Sequence, residues 1–118
     1  MKSQYRGALV AAAFIALPFA AEAAKPTIAW QAPSIGGTLT GNVQGPPSCM
    51  VDGTNIAKVM FYINGVWTNT DGNLDNGLGC WIDTTKYKDG AYTLRAVAYN
   101  AAGQTATTER VIVIQNSR

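Results

Sequence analysis

The segment Asp89–Gly103 constrains the fold of this chain most strongly, because it places a long alternating run between two turn signals. Asp89-Gly90 precedes the run and Asn100-Ala101-Ala102-Gly103 follows it, and residues of these types favour reversals of the chain. A period of two residues is that of a strand with one buried and one solvated side. The predicted buried side carries Tyr92, Leu94, Ala96 and Ala98.

Turn residues recur every 8–12 residues after residue 24, and they separate short runs rich in β-branched and aromatic residues. No helical periodicity is present in this part, so the spacing predicts an all-β sandwich or barrel. The predicted strands are 27–31, 38–44 with an extension as far as 50, 57–63, 66–68, 78–83, 91–100 and 104–115.

The same alternation assigns faces to two further strands. Lys58 and Arg95 are expected in water, so the opposite sides of their strands build the core. On the strands 57–63 and 78–83, the predicted inward residues are Val59, Phe61, Ile63, Leu78, Cys80 and Ile82, and Trp81 points outward.

The segment Ile63-Asn64-Gly65-Val66 predicts a two-residue hairpin of type I′, in which both central residues have positive φ.

The first 23 residues have the pattern of a secretory signal peptide. Lys2 and Arg6 form a positive start, residues 7–21 are uncharged and apolar, and Ala21-Glu22-Ala23 is a cleavage signal. The alternative is a membrane anchor, but a spanning helix needs roughly 20 apolar residues. We therefore predict cleavage after Ala23, a single domain over 24–118, no membrane span after cleavage, and a secreted or periplasmic location.

The charge of the chain excludes some classes of partner. Lys and Arg number 9 against 7 Asp and Glu, and the net charge is +2. So small a charge produces no field able to attract nucleic acid or an acidic membrane surface. Nucleic acid is therefore not an expected partner.

Cys49 and Cys80 are the two cysteines of the chain. An even pair in a small exported domain predicts a disulfide. It would close a loop of about 32 residues, for which the chain-entropy model gives about 3.5 kcal/mol. Two separate buried thiols are the alternative. A zinc site is excluded by the lack of histidine and the presence of only two thiols.

Six segments match a known family in order and spacing: 26–28, 36–41, 56–65, 82–84, 89–94 and 98–103. Through them, residues 26–115 resemble the bacterial Ig-like domains of secreted enzymes, adhesins and surface proteins. The resemblance implies an Ig-like antiparallel β-sandwich of about seven strands. It also implies that Cys49 ends the second strand and Cys80 lies on the fifth, so that the disulfide joins neighbours in one sheet. The cysteine pair is not a general family feature, and members often carry an aromatic residue where Ile82 stands.

No catalytic constellation is present. The chain has no histidine, which excludes Ser-His-Asp and Cys-His arrangements. Paired carboxylates can hydrolyse glycosides, but Asp71, Asp75, Asp83 and Asp89 stand in turn or strand-end positions where Asp commonly caps backbone amides. We therefore predict that the chain is not an enzyme and uses no cofactor.

The segment 69–77 is a weak candidate for calcium. Asn69, Asp71, Asn73 and Asp75 place oxygen side chains at alternate positions, which a calcium loop can use, and the weak candidate ligands are Asp71, Asn73 and Asp75. With Asp71 as position 1, glycine falls at position 7 instead of 6 and Ile82 takes the place of the last glutamate. An Asn/Asp/Gly loop between two strands also needs no metal to explain it, and no metal site is predicted.

Outward-facing aromatic residues form the candidate binding surface. Tyr62 and Tyr99 lie on strands that are adjacent in the resembled fold. Trp67 and Trp81 lie nearer the loop 69–77, where they are expected to form a separate patch. Such rings stack on sugars and anchor protein interfaces, although strands favour Tyr and Trp without any ligand. We predict a non-catalytic module that binds a protein or a cell-envelope polysaccharide by surface contact. The alternative is a carbohydrate-binding accessory module.

The last predicted strand suggests a further contact. Val111–Ile114 is apolar on both sides, and an edge strand of that kind favours association. Weak self-association through this segment is therefore predicted.

Overall fold

The computed structural model describes residues 23–117, so the predicted signal peptide lies almost wholly outside the described residues. Ten strand segments form an antiparallel Ig-like β-sandwich, as predicted, with one short parallel pair. They are β1 (Thr27–Ala32), β2 (Thr38–Leu39), β3 (Asn42–Gln44), β4 (Met50–Thr54), β5 (Lys58–Ile63), β6 (Val66–Asp71), β7 (Leu78–Gly79), β8 (Trp81–Asp83), β9 (Gly90–Tyr99) and β10 (Thr105–Ile114).

A five-stranded sheet in the order β2-β10-β9-β5-β6 forms one layer. Its centre is the pairing of β9 with β10 and with β5, which confirms the strand predicted between the two turn signals. Asn64 and Gly65 both have positive φ, at 46° and 83°, and they turn β5 into β6. A type I′ hairpin requires this backbone conformation at both positions.

The second layer consists of the sheet β1-β4-β7 and the two-stranded ribbon β3-β8. Trp30 of β1 packs on Phe61 of β5 across the layers, with ring centroids 6.0 Å apart. The residues predicted to point inward on β5, β7 and β8 are all buried, and so are Leu94, Ala96 and Ala98 of β9, while Tyr92 is half-buried against the core. Period-two alternation therefore identified most of the core.

The strand β4 was not predicted, and the extension of the second strand to residue 50 was wrong. The chain instead forms β2 and β3, turns at Gly45 with a φ of 75°, and starts a new strand at Met50. Only Val51 of β4 is buried, whereas Asp52, Gly53 and Thr54 are exposed. Its pairing with β1 forms this strand, and the local sequence carries no alternation to indicate it.

The segment Val111–Ile114 is not at an edge, which corrects the premise of the predicted self-association. Val113 and Ile114 pair with β2, and the Val111 carbonyl accepts a hydrogen bond from the Gly36 amide at 2.8 Å. The other side of the segment pairs with β9. Because the backbone here is paired on both sides, a second copy cannot add a strand without displacing 36–39. Self-association itself stays a prediction.

Cys49 and Cys80 form the predicted disulfide, with Cα atoms 5.4 Å apart and both side chains fully buried. Cys49 precedes β4 and Cys80 lies between β7 and β8, and β4 pairs with β7 in one sheet. The bridge therefore joins the ends of neighbouring strands in one sheet. The disulfide also fixes the position of Cys80, which directly precedes Trp81 in the chain.

A polar cluster closes the end of the sandwich near residue 84. The buried Thr84 donates its hydroxyl to the Gly41 carbonyl at 2.6 Å, and its own carbonyl accepts from Asn116 Nδ2 at 3.0 Å. Asn116 Oδ1 accepts from the Gly41 amide at 2.8 Å. These bonds tie β3, the turn after β8 and the end of β10 together. Over residues 23–117, no helix is long and apolar enough to cross a membrane.

Candidate binding surfaces

The first surface is the side of β5 and β9 that faces away from the core. We call it the outer face. Tyr62 is paired with Arg95, Lys58 with Tyr99, and Met60 with Val97, so that these six residues form three neighbouring rows. Tyr62 and Tyr99 are both half-buried. The structure thus brings the two predicted tyrosines onto one surface of adjacent strands.

Each tyrosine ring of the outer face carries a cation from the opposite strand. The Arg95 guanidinium carbon lies 4.9 Å from the Tyr62 ring centroid, and Lys58 Nζ lies 5.0 Å from that of Tyr99. Cation–π contacts at exposed sites are worth about 0.5–1 kcal/mol. A ligand that stacks on these rings must first displace the cations, so the outer face presents charge more than open aromatic surface.

The second surface is a groove of about 350 Å³, which we call the tryptophan groove. Trp67 and Trp81 are 54% and 52% exposed and both line it. Both rings are therefore available to a ligand. The other lining residues are Thr68, Ile82, Asp83, Lys86 and Tyr87.

The alternation of β8 exposes Trp81, because Cys80 and Ile82 on either side of it are buried. Trp67 is paired with Tyr62 across β5 and β6, so it lies where the outer face meets the groove. Its indole N–H donates to Thr70 Oγ1 at 3.0 Å, which fixes the orientation of the ring. The structure therefore places both predicted tryptophans at one site, contributed by different strands.

Charged groups of both signs border the tryptophan groove. The hydroxyl of Thr85 donates to Asp83 Oδ1 at 2.5 Å, and the Thr85 amide donates to the same oxygen at 3.1 Å. These bonds, with the charge of Lys86, hold the pKa of Asp83 below its ordinary value of 3.8. Asp83 is therefore a carboxylate at neutral pH. Tyr87 is oriented by an edge-to-face contact with Tyr92, at a centroid distance of 5.7 Å.

In the weak calcium candidate, side-chain oxygens of Asp71 and Asn73 accept hydrogen bonds from backbone amides. Asp71 accepts from the amides of Asn73 at 2.9 Å and Gly79 at 3.0 Å. Asn73 Oδ1 accepts from the Asp75 amide at 3.1 Å. Within the described range, no three Asp, Glu or Cys side chains gather as a metal site would require. These hydrogen bonds shape the loop, and calcium binding by this segment stays a prediction.

Two features of these surfaces were not predicted. Lys58 and Arg95 were treated only as solvent-facing residues, and their stacking on the tyrosines depends on the cross-strand register. Asn69 was considered only as an oxygen position in the calcium candidate, whereas its side chain bonds to both Gly79 and Trp81. The only available signal was a run of short polar residues after the hairpin, which is equally typical of an ordinary loop.

Comparisons with known proteins relate the chain to others through its fold. No protein-family model and no curated protein matches the sequence. The structure of the fibronectin(III)-like modules of CbhA from Clostridium thermocellum matches with a TM-score of 0.58 and 17% identity, over 77% of this chain and 47% of that one. A double mutant of the Cellulomonas fimi endo-β-1,4-mannanase matches with a TM-score of 0.45 and 22% identity, over 85% of this chain and 24% of that one.

The chain thus spans less than half the length of either solved chain. The likeness to the CbhA modules shows a β-sandwich of the bacterial Ig-like and fibronectin type III kind. Folds of this kind serve many unrelated functions, so function has to be argued from the surfaces described above.

Proposed function

We propose that this chain is an exported, non-catalytic binding module that holds a polysaccharide of the cell envelope or its surroundings in the tryptophan groove. One observation carries the proposal. Two indole rings, each more than half exposed, come from different strands to line the same groove. Exposed tryptophans scattered singly need no explanation, whereas a pair at one site is an arrangement suited to a ligand.

The polar groups of the groove favour a sugar over an apolar ligand. Asp83 offers carboxylate oxygens, Lys86 offers an ammonium, and Thr68 offers a hydroxyl beside the two rings. Sugar rings have apolar faces that stack on aromatic side chains and hydroxyl groups at their edges that hydrogen bond. An open groove with both kinds of group suits a chain of sugars that extends beyond it on either side.

The disulfide and the fold support export and a non-catalytic role. A disulfide persists in oxidising compartments, in agreement with the predicted signal peptide. The solved structure that the fold resembles is one of fibronectin(III)-like modules, and the carboxylate that lines the groove, Asp83, caps the Thr85 amide. We therefore propose that the chain acts by binding and does not catalyse a reaction.

A protein partner on the outer face is the second candidate. Met60 and Val97 form an apolar row between the two rows that carry stacked cations. Arg and Tyr are enriched where proteins bind one another. This surface suits a partner with acidic groups, and it leaves the tryptophan groove unoccupied.

Affinity electrophoresis tests the first proposal. The exported protein is run through gels that contain a soluble cellulose derivative, a mannan or solubilised peptidoglycan. We expect retardation by at least one polymer, and a loss of affinity of about ten-fold or more in Trp67→Ala and Trp81→Ala, since aromatic anchors carry most of the binding energy at such sites.

The control variant is Ile35→Ala, which removes an 80% exposed apolar side chain outside the groove. It should be retarded like the wild type. Mobility that no polymer changes would contradict the polysaccharide proposal and direct attention to the outer face. Equal losses in Ile35→Ala and the tryptophan variants would show that retardation does not report on the groove.

A further inference from the structure

Two side chains of β6 take the place of a neighbouring strand along residues 79–81. Asp71 Oδ2 accepts from the Gly79 amide at 3.0 Å. Asn69 Nδ2 donates to the Gly79 carbonyl at 3.1 Å, and Asn69 Oδ1 accepts from the Trp81 amide at 2.9 Å. The segment is thus hydrogen bonded on the β6 side entirely through side chains.

The opposite side of the same segment is bonded through backbone. The Cys80 carbonyl accepts from the Gly45 amide at 2.8 Å, and the Cys80 amide donates to the Cys49 carbonyl at 3.3 Å. In a strand, successive residues direct their backbone groups to opposite sides. Residues 79–81 therefore behave as a strand that has a backbone neighbour on one side and the side chains of β6 on the other.

The carboxamide of Asn69 supplies the donor and the acceptor that residues 79–81 require on the side facing β6. It presents one donor and one acceptor in a plane, as a peptide group does, whereas a carboxylate of the same shape presents only acceptors. The hydroxyl of Thr68 lies 3.0 Å from Asn69 Oδ1, in a position to donate to it. Among the described contacts, no other side chain bonds to both Gly79 and Trp81.

We infer that Asn69 is the positioning residue of the tryptophan groove, since its carboxamide fixes the spacing between the strands that carry Trp67 and Trp81. Trp67 lies two positions before Asn69 on β6, and the backbone amide of Trp81 donates a hydrogen bond to the Asn69 carboxamide. One side chain thus connects the two strands of the site directly. Its significance for ligand binding rests on the proposed function.

Hydrogen exchange of the exported protein, followed by NMR, tests the spacing without any ligand. In Asn69→Ala, we expect the Trp81 amide to exchange about ten-fold faster or more, because its acceptor is gone. In Asn69→Asp the acceptor remains, so the Trp81 amide stays protected while the bond to the Gly79 carbonyl is lost. The matched control is Asn73→Ala, which removes an exposed carboxamide whose one hydrogen bond is accepted from the Asp75 amide.

The position of the Trp81 ring is read from its own indole resonance, and acrylamide quenching reports on Trp67 and Trp81 together, since the third tryptophan, Trp30, is buried. Both should change in Asn69→Ala and in Asn69→Asp, and neither should change in Asn73→Ala. An unchanged exchange rate of the Trp81 amide in Asn69→Ala would contradict the claim that the Asn69 carboxamide connects the two strands. A faster amide with an unmoved indole would overturn the positioning role.

The electrophoresis of the preceding section separates this inference from the proposed function. A shifted indole together with a weakened retardation of both Asn69 variants supports the two proposals. If the wild type is not retarded by any polymer, the proposed function fails, and the exchange and indole data still decide the role of Asn69. A shifted indole with full retardation would refute the claim that the spacing matters to the ligand.

Discussion

On the outer face, Tyr62 and Tyr99 each lie under a cation from the neighbouring strand, whereas Trp67 and Trp81 line an open groove with their rings more than half exposed. All four residues follow the same pattern in the sequence, an aromatic residue on the solvated side of a strand. The difference comes from position in the sheet. A central strand has neighbours whose side chains can cover a ring, and Trp67 lies on an edge strand.

This comparison teaches that exposure in a sheet depends on cross-strand partners as much as on alternation. Arg95 and Lys58 reach the tyrosines because they are directly opposite them in register. The groove instead lies between two strands that the Asn69 carboxamide bonds together, and the disulfide joins Cys80, the residue next to Trp81, to Cys49. Changes in these features should affect one surface and spare the other.

Removal of the disulfide should have the largest effect. In the double variant Cys49→Ala and Cys80→Ala, we expect the free energy of unfolding in urea to fall by about 3.5 kcal/mol, because the unfolded chain is no longer cross-linked. The indole resonance of Trp81 should also move, because Trp81 directly follows Cys80. A loss below about 1 kcal/mol would contradict the expected stabilisation by the cross-link.

Gly79→Ala should have the next largest effect. A Cβ at this position would lie 2.4 Å from Pro46 Cδ and 2.7 Å from the Cys49 carbonyl oxygen. Such overpacking beside the groove should cost about 3 kcal/mol in urea unfolding. In the control Gly72→Ala the new Cβ comes no closer than 3.7 Å to any atom, so its midpoint should stay near that of the wild type.

The cation–π contact of the outer face should contribute much less. A double-mutant cycle with Arg95→Gln and Tyr62→Leu should give a coupling energy of about 0.5–1 kcal/mol. The mismatched cycle of Lys58→Gln with Tyr62→Leu should give a value near zero, because Lys58 stacks on Tyr99. Similar coupling in both cycles would show that the stacking of Arg95 on Tyr62 is not specific.

The smallest expected effect is the loss, at acid pH, of the stabilisation that Asp83 contributes beside the groove. Since the pKa of Asp83 is lowered in the folded state, its bonds stabilise the fold above the unfolded pKa of about 3.9. This contribution is lost as the pH falls through the folded pKa. In Thr85→Val, the carboxyl resonance of Asp83 should titrate closer to the ordinary value, while that of Asp89, which bonds to Ser117, should not move. An unmoved Asp83 would show that the hydroxyl is not the cause.

The sequence predicted the parts of the molecule that repeat a local pattern. The inward residues of β5 and β9 follow from alternation alone, and the turn at Asn64-Gly65 follows from its backbone requirements. The strand β4 was not predictable in this way, since three of its five residues are exposed polar or glycine positions stabilised by pairing.

The candidate site was only partly predictable for a related reason. Trp67 and Trp81 were predicted to share a patch near the loop 69–77, but the groove that they line also involves residues and bonds that only the assembled fold brings together, such as the bonds from side chains of β6 to 79–81. Likewise, the cations that cover Tyr62 and Tyr99 are set by register across strands. Contacts of this type depend on the assembled fold and leave no local periodic signal.

Chemical-shift mapping during a polysaccharide titration tests most directly whether the tryptophan groove is the ligand surface. The polymer that retards the protein is shortened to soluble oligosaccharides and added to labelled protein. We predict that the largest shifts fall on Trp67, Trp81 and their neighbours in the groove, with little change at Tyr62 and Tyr99. Shifts centred on Tyr62 and Tyr99, with the indole signals of Trp67 and Trp81 unmoved, would contradict the account.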